Sequence, residues 1–303
     1  MSDALLLLPD FALILAGYLI CHHTQLKRPV WEGAERLVYL VLFPALLFNS
    51  ILRNPIALAS ALPLAAAGLG VVLMGVLLAY ALRALPGVDA HLHASGAQTA
   101  FRFNSYVALA LAERLVGTAG VAWMALLISV CVPLCNVAAV WPLARHGGQH
   151  VLGELARNPL IIATGSGLLC NLMGVTLPDL ASITLGRMGA AALPLGLMAV
   201  GAGLQLGALR EGPRLAAALL LIRHALLPAW GLLLVLTLAL PLGQQAVVMA
   251  FAALPTSSAA YVLAVRMGGH GGFVAGLITM STLLAMPTLP LWMAVWRLFA
   301  TGA

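Results

Sequence analysis

Runs of apolar residues, interrupted by Gly, Pro and charge, divide the chain into ten segments: 9–25, 33–52, 60–83, 96–114, 119–143, 157–174, 184–206, 214–240, 244–265 and 271–299. Each comes near the ~20 residues that a helix needs to cross a bilayer. Segments 4 and 9 are the least uniform. The fourth carries Arg102, Asn104, Ser105 and Tyr106, and the ninth carries Pro255, Thr256, Ser257 and Ser258.

The pattern is written twice. Ala110-Leu111-Ala112-Glu113-Arg114-Leu115-Val116-Gly117 closes one apolar stretch, and Val262-Leu263-Ala264-Val265-Arg266-Met267-Gly268-Gly269 closes another 152 residues later. Gly17 pairs with Gly167, Pro29 with Pro178 and Pro44 with Pro194. The stretch from Gly120 to Ser129 pairs with that from Gly272 to Ser281. Five segments per copy is an odd number, so the second copy enters the membrane upside down. Such an inverted repeat is a mark of secondary transporters. The expected organisation is a first five-helix repeat at 1–142, a cytoplasmic linker at 143–156 and a second, inverted repeat at 157–303.

Composition agrees with a membrane protein. The chain is 62% hydrophobic and 8% charged, with a mean hydropathy of +1.04, where soluble domains are about 25% charged. Only lipid can solvate so much apolar surface. Met1-Ser2-Asp3 offers no basic leader, so 9–25 reads as a retained first span. Lys27, Arg28, Arg83, Arg145, Arg157, Arg210, Arg214 and Arg266 fall on one side, and Arg53, Arg114 and Arg297 on the other. The positive-inside rule then puts both termini outside. The net charge of +6 reads as topology information, not as a nucleic-acid surface. Cys21, Cys131, Cys135 and Cys170 lie in apolar segments and read as small filler. No His or acid joins Cys131 and Cys135 to make a metal set.

The chemistry concentrates in segments 4 and 9. In hydrocarbon, a helix broken mid-span exposes backbone groups that only protein or a water-filled cavity can satisfy. The offset of 152 sets Phe103 against Pro255, Asn104 against Thr256, Ser105 against Ser257 and Tyr106 against Ser258. Pro255 lacks an N–H and breaks or kinks its helix. Asn104 and Ser105 offer hydrogen bonds to freed backbone groups. Two such breaks near the midplane would aim helix N-termini at one cavity, and those termini favour anions. A plain kink is the competing reading of either site alone.

Arg102 and Arg223 lie within expected spans, whereas every Asp and Glu falls at a span end or in a loop. Cations without buried acids leave room for an anionic ligand. Arg102 is the candidate carboxylate contact. Arg223 divides between a ligand role and bonds to backbone carbonyls, and His224 between helix packing and a proton relay. Arg36 and Arg187, near the starts of segments 2 and 7, read as snorkelling or paired, for example with Glu35. Ser129 and Asn136 in segment 5 are candidates for the rest of a polar wall.

These residues carry a family resemblance. Ile222-Arg223 with Pro228, Ala253-Leu254-Pro255, Ala264 and Ala285-Met286-Pro287 follow one family's run through its last three spans. Phe43-Pro44-Ala45-Leu46-Leu47-Phe48 and Phe101-Arg102-Phe103-Asn104-Ser105-Tyr106 look like its spans 2 and 4. The chain resembles the auxin efflux carrier family, which includes plant PIN auxin carriers and bacterial malonate or malate permeases. The bacterial branch is the closer match, because the long cytosolic loop of many plant members is absent.

The resemblance implies an all-α integral membrane protein of ten transmembrane helices in two inverted five-helix repeats. Helices 4 and 9 would be broken and crossing, as in bile-acid symporters. It also implies an elevator-like transport domain moving against a scaffold, often in a homodimer. Asn104 matches the family's crossover asparagine, near which substrate sits, and Pro255 matches a proline at the span 9 break. Two prolines usual in the family are missing, with Ala110 and Leu111 in one region and Ala260 near the place of the other.

The reading is therefore a secondary active or potential-driven transporter of a small organic anion, such as malonate, malate or an auxin-like acid. It sits in the cell membrane and has no cofactor or metal. Arg102, Asn104, Ser105, Tyr106, Pro255, Thr256, Ser257 and Ser258 would form its substrate site. A sodium-coupled symporter of the bile-acid type, or a sensor on a carrier fold, are the alternatives. Sodium would want carboxylates in its cage. An intramembrane enzyme is disfavoured: there is no His-Glu-x-x-His and no buried aspartate pair. Thr164-Gly165-Ser166-Gly167 lacks the full form of a serine elbow.

Overall fold

The computed structural model describes residues 3–53, 58–144, 159–204 and 212–300. Every regular element among them is helical. In chain order they are α1 (Asp3–His23), α2 (Arg28–Arg53), α3 (Leu58–Ala81), α4 (Ala90–Gly96), α5 (Gln98–Phe101), α6 (Ser105–Val116) and α7 (Thr118–Ala144). There follow α8 (Pro159–Leu172), α9 (Asp179–Ala202), α10 (Pro213–Thr237), α11 (Leu242–Ala253), α12 (Ala259–Arg266) and α13 (Gly271–Ala300).

Six helices (α2, α3, α7, α9, α10 and α13) are long and apolar enough to cross a membrane. Segments 4 and 9 fall short for a physical reason: each is divided, into α5 and α6 and into α11 and α12. The expected linker at 143–156 lies outside the described residues, save its first two, which complete α7. Leu62, Leu77, Trp141, Leu169 and Leu291 are each at least 60% exposed. Side chains of this kind face outward when the surrounding solvent is lipid.

Helix starts follow local chemistry. Asp89 caps α4, its carboxylate accepting the N–H groups of His91 and Leu92 at 2.9 and 2.8 Å. The Leu92 N–H foremost, then burial partly opposing it and the His91 N–H reinforcing it, leave that carboxyl below its ordinary range. Pro29 opens α2 and Pro213 opens α10, where a missing N–H is harmless. At the start of α2 the ion pairs run from Arg28 to Glu32 and Glu35, at 3.5 and 3.4 Å. Glu35 thus pairs with Arg28 and not with Arg36.

The helices pack in two groups. α1 lies along α9, and α2 lies against α8 and α9. In the second group α3 and α6 pack on α7, α11 packs on α6, α10 and α13, and α12 packs on α13. Contact between α2 and α7 joins the groups. The α1–α9 contact is close enough that side chains are excluded. A Cβ on Gly201 would lie 1.7 Å from the Ile14 carbonyl oxygen, and one on Gly17 would lie 1.9 Å from that of Met198. Gly201→Val is expected to lower stability by about 1–3 kcal/mol through overpacking. Gly165→Ala, where nothing lies within 4 Å, should leave thermal unfolding in detergent unchanged.

Candidate functional site

Two helix breaks meet inside the second group. α5 ends at Phe101, and Arg102 leaves it in an extended conformation (φ −76°, ψ 145°). Asn104 then caps α6, its Oδ1 accepting the N–H groups of Tyr106 and Val107 at 3.0 and 3.2 Å. α11 ends at Ala253 because Pro255 follows. The residue before a proline avoids the helical region, and Leu254 is extended (φ −58°, ψ 149°). The Asn104 N–H donates to the Pro255 carbonyl oxygen at 2.9 Å, tying one break to the other. Both breaks form without the two absent family prolines.

Arg223 is 1% exposed, in a π-helical turn (Ile222–Leu226) of α10. The wider turn lets Ile222, Arg223 and His224 all be buried in succession. The guanidinium donates to the carbonyls of Leu254, Phe251, Ala252 and Ala100, at 2.5, 3.2, 3.3 and 3.5 Å. The first three close α11 and the last belongs to α5. One cation therefore serves the carbonyl ends of two broken helices, where the dipole is negative. The Cys135 thiol adds a donor to the Phe101 carbonyl at 3.5 Å.

His224 extends the network. Its Nδ1 meets Thr288 Oγ1 at 3.1 Å and its Nε2 meets Ser281 Oγ at 2.9 Å. Ser281 Oγ also accepts the Thr256 N–H at 2.9 Å, and Thr288 donates to the Leu284 carbonyl at 2.8 Å. The Thr288 proton goes to Leu284, so Thr288 accepts from Nδ1–H, and with a neutral ring Ser281 donates to Nε2. A neutral imidazole fits every bond.

Arg102 is half-buried, with Nη1 on Gln98 Oε1 at 3.1 Å and Nη2 on Asn136 Oδ1. The Gln98 amide reaches across to the Ala260 carbonyl at 3.2 Å. The structure thus brings Asn136 to Arg102. Ser129, on the same helix, bonds the Leu126 carbonyl at 2.9 Å within its own turn. Tyr106 stacks on Phe43, with ring centroids 4.8 Å apart, and abuts Gly196, where a Cβ would come within 2.4 Å. Its ring therefore spans the two helix groups. Ser257 caps locally, accepting the Ala259 N–H at 3.2 Å. Ser105 and Ser258 are half-buried and Pro255 is buried.

Two atoms at this junction have no partner. Asn104 Nδ2 and Thr256 Oγ1 are buried without a hydrogen bond, on residues 2% and 0% exposed. Each such group costs about 1–3 kcal/mol. Among the described residues no three His, Cys, Asp or Glu side chains gather as a metal would require.

Sequence reasoning missed Gln98 and Ser281. Gln98 stands four residues before Arg102, on the same helix face. Ser281 stands 152 residues after Ser129, the offset noted in the sequence, and that offset was the signal available.

The model of one family, described as membrane transport protein, matches residues 142–293, half of the chain. No curated protein matches it.

Truncating Arg223 removes a donor from four carbonyls, of which Phe251 keeps the Leu254 N–H. Arg223→Met is expected to lower stability by at least about 3 kcal/mol, with Arg223→Lys intermediate because an ammonium cannot span both helix ends. Thermal unfolding of the purified protein checks the order.

Proposed function

Since this chain belongs to the membrane transport protein family, the auxin efflux carriers, we propose that it carries a small organic anion across the membrane, with the site at the junction of the two helix breaks. It is a multi-pass membrane protein. The observation that carries the reading is the pair of unpartnered buried atoms, Asn104 Nδ2 and Thr256 Oγ1. They belong to Asn104, which donates the backbone hydrogen bond between the breaks, and to the residue after its acceptor, Pro255. A donor amide and a hydroxyl left uncommitted there suit a carboxylate. The Arg102 and Arg223 guanidinium groups make the surroundings cationic.

In this reading the ten segments are ten spans in two inverted repeats, with both termini outside. The group of α1, α2, α8 and α9 is the scaffold, and the second group moves against it and carries the site across. Tyr106, lying between the groups, forms part of the sliding contact. A homodimer in the cell membrane is the expected assembly. An anion driven by the membrane potential gains about 2.3 kcal/mol per charge per 100 mV. Proton coupling would have to use a group such as His224. Arg102, Ser105, Ser129, Asn136, Ser257 and Ser258 complete the proposed polar surroundings.

Counterflow in proteoliposomes tests this. Vesicles loaded with malonate or malate should accumulate trace label, and Asn104→Ala and Arg102→Ala should each abolish accumulation. Well-folded protein that accumulates no carboxylate would rule the reading out.

Two further variants separate function from folding. Asn104→Asp keeps the capping oxygen but replaces the donor, so it should fold and fail to transport. Thr256→Val removes an unsatisfied hydroxyl at nearly constant shape. It should gain roughly 1 kcal/mol of stability while losing uptake. Unchanged transport in both variants would reject the site.

A further inference from the structure

A cavity with several polar side chains in its wall lies where α2 ends, away from the junction. Arg53 closes α2, and its Nε and Nη2 both donate to Ser182 Oγ of α9, at 3.0 and 2.5 Å. The Ser182 hydroxyl donates in turn to Asn49 Oδ1 at 3.4 Å. From α8, Asn171 Nδ2 donates to the Ile51 and Leu52 carbonyls at 2.9 and 3.3 Å. Gly174, at a φ of 68° that favours glycine, turns the chain out of α8 toward α9. These bonds frame a cavity of about 220 Å³ lined by Asn49, Leu52, Arg53, Val175, Thr176, Leu177 and Ser182.

Its polar groups are mostly uncommitted donors. Ser182 occupies Nε and Nη2 of Arg53, and Nη1 keeps both protons. Asn49 is 7% exposed and commits its oxygen to Ser182. Among the described residues no hydrogen bond engages its amide nitrogen. Thr176 adds a hydroxyl. The ion pairs among the described residues belong to Arg28, and Asp179, in the first turn of α9, makes none with Arg53. A guanidinium, an amide donor and a hydroxyl with no carboxylate opposite them select an anion. The volume is below the roughly 300–1,000 Å³ of sites for drug-sized ligands. Leu52, Val175 and Leu177 leave an apolar side to the opening.

We propose that this cavity binds a small anionic group, a carboxylate or a phosphate, through Arg53, Asn49 and Thr176. The ligand is either a free anion or the headgroup of a membrane phospholipid. The proposal shares no residue with the junction and does not rest on the transport reading.

Full-length protein purified in detergent tests it with three probes. These are labelled malonate and labelled inorganic phosphate in equilibrium dialysis, and phosphatidylglycerol followed by native mass spectrometry. Wild type should bind at least one probe, and Arg53→Gln should weaken it at least roughly tenfold, since a charge-assisted contact is lost. Thr176→Val, which leaves the Arg53–Ser182 contact intact, should weaken it more modestly. Gly165→Ala, with nothing within 4 Å of an added Cβ, should leave it unchanged. Retained phosphatidylglycerol that the soluble anions do not displace assigns the site to a lipid headgroup, and saturable malonate or phosphate binding that Arg53→Gln weakens assigns it to a free anion. No binding by wild type, or equal binding by Arg53→Gln, overturns the proposal. Absent counterflow alongside Arg53-dependent binding would remove the transport reading alone.

Discussion

The bonds of Arg223 to the carbonyl ends of α5 and α11 are the interaction on which the junction depends. A helix that stops inside a membrane protein strands carbonyl groups that no water can reach. Here two helices stop near each other, and their negative ends would repel. A single planar cation with five donors answers both demands, which an ammonium could not do from one position. The π-helical turn that carries it is part of the same solution, because it also turns His224 inward, toward Ser281 and the Thr256 amide.

From that arrangement the rest follows by accounting. With carbonyls occupied by Arg223 and the α6 N-terminus capped by Asn104, the backbone at the breaks is largely satisfied. What remains unsatisfied is side-chain chemistry, the Asn104 amide nitrogen and the Thr256 hydroxyl. In the proposed reading, these two bare side-chain groups are where recognition would lie. Arg102, held by Gln98 and Asn136, keeps a second positive charge nearby.

Much of this was legible in the chain. The apolar runs and their polar interruptions located both breaks, and Pro255 explains the extended Leu254 by local sterics alone. Asn104 announced itself as a polar cap in an apolar segment. The role of Arg223 was left between two readings, because its partners are carbonyls, which carry no sequence signature. Gln98 and Ser281 were passed over for a related reason: a lone amide or hydroxyl in an apolar run looks like ordinary helix packing until its partner, 162 or 57 residues away, is known. The close contact of α1 with α9 was equally hidden, since glycines are common along the whole chain and only three-dimensional approach shows which ones are indispensable.

The bond from the Asn104 N–H to the Pro255 carbonyl has a separate consequence. Both of its atoms belong to the main chain, so no change of side chain short of Asn104→Pro deletes it directly. The geometry of the junction can therefore be inherited while the neighbouring side chains drift. Under the proposed reading, a lineage built on this fold could exchange one cargo for another by altering Thr256 or its neighbours while the backbone tie between the two breaks is kept.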